Sequence, residues 1–234
     1  MTDGFPNKPK ILRGAFVEFG LSLPPLLVVF QFNPVQLTRN RGLTFTVPGS
    51  ADTESSSVSG RTLREFHRDV SNLLDLQSQQ LVAVEEQTIG FDIRLDATDK
   101  LDDGNTVVEQ FGIATQIATL ELMVTPKEES LTGAAVSALL GRRNGFSFTR
   151  SANPPLVLFI FGRKRVLPVN ITSLNITETE FSTDLYPIRA TVAVNLTVIE
   201  GKNVPYSYST ALTEAMSVLD LANLTDVEDV VLPG

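Results

Sequence analysis

Strict alternation of apolar and polar side chains is the dominant pattern in this chain, and it predicts strands. In Thr88–Asp96, "TIGFDIRLD", Ile89, Phe91, Ile93 and Leu95 fall on one face and Gly90, Asp92 and Arg94 on the other. Ile188–Val198 alternates in the same way, with Arg189, Thr191, Ala193, Asn195 and Thr197 between its apolar partners. Ile11–Phe19 and Leu26–Asn33 read as the opening strands. Leu37–Val47 reads as a third, with Leu43, Phe45 and Val47 on one face, and Leu156–Phe161 and Val166–Phe181 supply two or three more. Pro34 stops the second strand, because proline donates no N–H to a ladder and holds Asn33 extended. Pro168 is expected to put its strand at an edge or to mark a bulge.

Helical spacing appears in three places. After a Ser/Gly-rich loop at 48–60, Leu63, Phe66, Val70, Leu73 and Leu74 form one apolar stripe, so 48–85 reads as an insertion carrying a helix. A second helix is expected from Thr106 to Pro126, opened by a Thr106/Glu109 capping box. Its apolar arc encloses Gln110 and Glu121, and a carboxylate there calls either for a partner, with Arg94 or Arg189 the candidates for Glu121, or for a helix edge that is frayed or faces solvent near Glu121. "GKNVPYSYS" reads as a linker, followed by a helix over Thr210–Ala222 with Leu212, Ala215, Leu219 and Ala222 on one face. The organisation is thus a β-rich domain over 1–200 and a helical extension over 201–234.

Composition and charge narrow the chemistry. A net charge of −8 argues against a general nucleic-acid binder, and the short basic clusters, such as Arg39/Arg41, read as solvated turns. With no cysteine, thiol catalysis, Cys-based zinc sites and disulfides are excluded, which fits a reducing compartment. The polar start "MTDGFPNKPK" has no apolar signal region, and no apolar run approaches the ~20 residues that span a bilayer, so a soluble cytoplasmic product is expected. The four Asn-X-Thr triplets, at Asn170, Asn175, Asn195 and Asn223, then read as strand residues rather than glycan acceptors.

The one histidine, His67, sits between Arg64 and Arg68 and reads as a surface residue. Asp92, Asp96, Asp99, Asp102 and Asp103 lack the spacing of a calcium loop and read as a solvated turn leading into a helix. No phosphate-binding loop is present, since "GSADTESSSVSG" has neither the lysine nor the spacing. No carboxylate pair is singled out for glycoside hydrolysis. The sequence therefore assigns no catalytic, cofactor or metal residue, and the chain reads as a non-enzyme.

Four landmarks in order carry a family resemblance: "ILRGAFVEF" with "LLVVFQFNPVQLTR"; "IGFDIRLDATDKLD" with the helix "FGIATQIATLELMVTP"; "NPPLVLFIFGRKRVLPVNITSLNITETEFS"; and "LYPIRATVAVNLTVIE". Over about residues 11–200 the chain resembles the tube and baseplate-adaptor subunits of contractile injection systems, the phage-tail-like particles. The resemblance implies a mainly β (α+β) fold: an antiparallel β-barrel or sandwich of the tail-tube type with a flanking helix, an inserted helix and a C-terminal helix. It also implies a homo-hexameric ring at the baseplate that adapts the spike hub to the inner tube and initiates the tube. The expected partners are further copies, the spike or hub protein, the inner tube and other baseplate proteins, with neither nucleic acid nor stable membrane insertion. Such a subunit would be made and assembled in the cytoplasm and end in the particle.

Only 34 residues follow Glu200, without a Gly-Asp-Thr-Leu segment, so the peptidoglycan-binding LysM-type module of some baseplate members is not expected. The insertion at 48–85 favours a baseplate position over the repeated tube. The main tube subunit and, from another class, a β-sandwich ligand- or glycan-binding module are the alternatives. Asn33, Pro34, Leu37 and Arg39, around a segment expected to face an adjacent subunit or ring, with an ordinary surface turn as the alternative, and the helical Glu121 are the interface and structural candidates.

Overall fold

The computed structural model describes residues 12–20, 26–46, 62–102, 104–126 and 153–221. Nine strands and six helices lie among them. The strands are β1 Ala15–Glu18, β2 Leu27–Val29, β3 Leu37–Asn40, β4 Leu43–Thr46, β5 Leu81–Val84, β6 Thr88–Asp96, β7 Val157–Ile160, β8 Val166–Phe181 and β9 Pro187–Val198. The helices are α1 Leu63–Asp69, α2 Leu73–Gln79, α3 Thr98–Asp102, α4 Thr106–Phe111, α5 Ala114–Val124 and α6 Val204–Leu221. The fold is mainly antiparallel β with several helices, an α+β class, built on one seven-stranded and one two-stranded sheet. The chain divides into two compact units, one of residues 1–38 with 89–234 and one of 39–88.

In the first unit the sheet order is β2-β1-β7-β8-β9-β6-β3. Cross-strand register aligns the inner positions into rows: Val28, Phe16, Phe159 and Leu167 in one, Glu18, Val157, Val169 and Val198 in the next. All but Glu18 are apolar and all are buried, which is what period-two alternation delivers once one face is covered. β6 keeps the expected face, with Ile89, Phe91, Ile93 and Leu95 buried. Its last turn bonds back to β9 through the Ala97 amide and the Ile188 carbonyl.

Although β8 and β9 separate β6 from β7, the Phe91 ring stacks on Phe159 with centroids 5.2 Å apart. Phe16 and Phe30 complete the cluster at 6.0 and 5.8 Å from Phe91. The sheet therefore curls until opposite walls share one aromatic core. Residues 30–36 join the two outermost strands, β2 and β3, yet no ladder closes between them among the described residues. The core is that of an open, coiled sheet, and no barrel is closed. α5 lies against β2 and β8, burying Ile117, Leu120 and Met123.

Several expectations are corrected. Leu37–Val47 is two strands, because the chain breaks at Arg41–Gly42 and β4 leaves the main sheet to pair with β5. The inserted helix is also two, since Val70 ends α1 in extended geometry and the Asn72 side chain caps α2 at the Leu74 amide. The capping box lies at Thr62/Glu65, whereas the helix expected from Thr106 is capped by Asn105, whose side chain accepts from Val107 and Val108 N–H. That helix breaks at Gly112, where φ is +54° and an added Cβ would strike the Pro187 carbonyl. The acidic stretch after Asp96 forms the short helix α3 rather than a turn.

The presumed linker at 201–209 is largely helix. Asn203 caps α6 by accepting from the Tyr206 amide at 2.9 Å, and Pro205 is tolerated in a first turn that lacks intrahelical N–H partners anyway. Pro168 is neither on an edge strand nor at the bulge, which falls between Ile171 and Ser173. It sits in the central strand β8 where the β9 ladder ends, and its carbonyl accepts from Ile199 N–H just beyond β9. The missing proline donor thus falls at a ladder terminus. Asn170, Asn175 and Asn195 are exposed on β8 and β9, while Asn223 lies outside the described residues.

Candidate interaction site

Asn33 explains how the second strand ends. The β1–β2 ladder continues past Val29 by one bond, from Phe30 N–H to the Gly14 carbonyl at 2.8 Å. The Asn33 side chain then replaces the backbone: its Oδ1 accepts from Gly14 N–H at 2.9 Å and its Nδ2 donates to the Leu12 carbonyl at 2.8 Å. A carboxamide carries one acceptor and one donor in the geometry of a peptide group, so it can close a ladder the main chain has left. Pro34 turns the chain away, Val35 is almost fully exposed, and Leu37 returns to pack against the core. Arg39 is exposed in β3.

Glu121 is exposed on α5, not enclosed in its apolar arc. Neither proposed arginine serves it. Arg94 faces outward on β6. Arg189 donates from Nε to Asp96 at 2.8 Å and from a terminal nitrogen to Glu180 at 2.7 Å. The buried face of α5 is the narrow one of Ile117, Leu120 and Met123, and Glu121 lies beyond its edge with the exposed Ala118 and Leu122.

Asp96 is the hub of that polar cluster. Its carboxylate accepts from the Thr98 amide at 2.8 Å and from the Thr98 hydroxyl, and its own N–H donates to Gln31. Partial burial acts to raise its pKa, but the Thr98 and Arg189 hydrogen bonds outweigh it and hold the carboxyl below its ordinary value. Arg189 is pushed up by its bonds to Asp96 and Glu180. The cluster ties the end of β6 to β8 and β9 and offers no free nucleophile or base.

His67 is exposed, with Nε2 2.5 Å from the Gln80 amide nitrogen. No group of three His, Cys, Asp or Glu side chains among the described residues is arranged to hold a metal ion. None of the helices among those residues is long and apolar enough to cross a membrane.

What remains are surfaces. In the second unit, β4 and β5 form a ribbon with Leu43 opposite Val84 and Phe45 opposite Val82. These four residues share one face, two positions apart on each strand, and each is about half exposed, Phe45 at 45% and Val84 at 56%. Leu73 and Leu74 on α2 are exposed as well. The "LVAV" of β5 is apolar at every position, so no alternation separated it from the helix before it.

In the first unit, a groove of about 310 Å³ runs along β2, floored by Leu27, Val28 and Val29 and flanked by Thr115 and Thr119 of α5, with Arg13 and Lys100 beside it. Of the sequence candidates, Asn33, Pro34 and Leu37 act together on one connection, and Glu121 stands apart from them. Glu18, buried among apolar rows with Oε2 accepting from Leu26 N–H at 3.1 Å, was missed, although it shares the Phe16 face by parity. A scan of protein-family models and a search of curated proteins return no match to this chain.

Proposed function

We propose that this chain is a structural subunit of a contractile injection system, forming a hexameric baseplate ring that adapts the spike hub to the inner tube and initiates tube assembly. The observation that carries this reading is the ribbon face of Leu43, Phe45, Val82 and Val84. A two-stranded ribbon is marginal by itself in water, and one presenting a continuous apolar face has a strong drive to be covered by another surface. Head-to-tail contacts repeated around an axis would cover it and close. Helix α6 adds to the case, because its residues 213–220 are all exposed and include Met216, Val218 and Leu219. The family-like landmarks correspond in order to β1–β2, β6 through α5, β7–β8 and β9.

Negative-stain microscopy of the purified chain with its neighbouring particle proteins tests the reading. Rings or stacked discs are expected. Phe45→Asp combined with Val82→Asp should abolish them while the far-ultraviolet circular dichroism of the subunit stays unchanged. A strict monomer under all these conditions, with a saturable sugar affinity, would replace this reading with that of a ligand-binding module. Stacks of indefinite length from the chain alone would instead indicate the main tube subunit.

A further inference from the structure

The groove along β2 has the makings of a strand-docking site. β2 is the terminal strand of the sheet, so its outer edge carries no ladder partner among the described residues. Such an edge invites an added strand unless something blunts it. Its exposed side chains, Leu27 and Val29, are apolar, while the positive charges of Arg13 and Lys100 flank them. Neither cation has an ion-pair partner among the described residues, and no carboxylate is among the described residues that line the groove. A fitting ligand is therefore an extended segment that is both apolar and acidic.

The sequence holds one such segment at its C-terminal end, "ANLTDVEDVVLPG", with Asp226, Glu228 and Asp229, no basic residue, and Val227, Val230, Val231 and Leu232. Its β-branched residues suit a strand. We propose that the groove of one copy receives residues 222–234 of a second copy. The case for a second copy lies in α6. The helix is anchored mainly through its first half, where the Ser209 hydroxyl accepts from Val166 N–H at 3.1 Å and donates to the Val166 carbonyl at 2.9 Å, and further along Lys164 Nζ reaches Met216 Sδ at 3.1 Å. Beyond Leu212 every described side chain is exposed, so this half of α6 buries little against its own sheet and leaves its apolar side chains to a neighbouring copy. Val231 lies ten residues past the end of α6, a reach of up to about 33 Å in extended form. This inference builds on the assembly reading and names one of its contacts.

A fluorescein-labelled peptide of residues 222–234, titrated into the full chain and followed by anisotropy, tests it. Saturable binding is expected. Arg13→Glu with Lys100→Glu should weaken it about tenfold, since two ion pairs become two repulsions. Raising NaCl from about 0.05 to 0.5 M should weaken it in the same direction. A peptide with Asp226, Glu228 and Asp229 all changed to Lys should recover affinity for the double variant. Absence of saturable binding, or binding indifferent to both charge reversals, overturns the proposal. Binding seen only after the chain is truncated at Leu221 overturns it too, because the groove would then be filled by the chain's own segment. Rings on the micrograph without peptide affinity remove this contact and leave the ring reading standing. Peptide affinity in a protein that never forms rings does the reverse.

Discussion

At the scale of single residues, two side chains stand in for backbone. Asn33 completes the β1–β2 ladder after the main chain has left it, and Ser209 serves both polar groups of Val166. Asn33→Ala strands the Gly14 donor and the Leu12 acceptor and should cost about 1–3 kcal/mol in urea unfolding. Asn33→Asp should cost less, because the carboxylate still accepts from Gly14. Asp96 makes a pH-dependent contribution whose sign follows from its lowered pKa. Ionised Asp96 is favoured in the folded chain, so its stabilisation is fully present above the unfolded carboxylate value of about 3.9 and fades as the pH falls through the lower folded value. Asp96→Asn should therefore flatten the acid side of the stability curve, measured by urea melts at successive pH values. An acid limb as steep as in the parent chain would show that other carboxylates control it.

At the scale of elements, the alternating strands were legible because burial of one sheet face leaves a period of two in the sequence, as in β6 and β9. The helices were legible in position but not in continuity. Apolar spacing runs across Gly112 almost unbroken, and only the close passage of Pro187 explains why the helix stops there. Gly112→Ala should cost ~1–3 kcal/mol from backbone geometry alone, with further loss from the clash, read by chemical denaturation. A stability change under a few tenths of a kcal/mol would mean that α4 and α5 can shift freely. β5 escaped the sequence for a different reason: four residues with apolar side chains at every position carry no periodicity. The pairing of Glu121 failed because the apolar arc was drawn too wide: Ala118 and Leu122 beside it are exposed too, and only the face of Ile117, Leu120 and Met123 is buried.

At the scale of the whole molecule, the fold class could be read from the strand pattern, but the curl of the sheet could not. It depends on aromatic rings from β1, β6 and β7 meeting across the interior. Phe159 is the hinge of that meeting, fully buried and in ring contact with Phe16, Phe30, Phe91 and Phe161. Phe159→Ala should destabilise by about 3–5 kcal/mol and leave the secondary structure recognisable by circular dichroism. The interaction surfaces were only partly legible: Asn33 and Leu37 could be picked out beside a proline break, whereas Arg13 and Lys100 converge from elements far apart in sequence. The ribbon face needed the β4–β5 register before its four apolar residues could be seen to align.

The pairing of β1 with β7 has a consequence for how the protein is made. Ala15 leaves the ribosome long before its partner Ile160 exists. At about 5–20 residues per second, the wait between them is roughly 7–30 s. During that interval the nascent N-terminal strands have no inner neighbour, whereas β8 and β9 can zip together as soon as their short turn emerges. Translation speed across the middle of the message, and holdase chaperones that shield Phe16, Val28 and Phe30 meanwhile, should therefore govern the yield of soluble chain more strongly than events after β9 is complete.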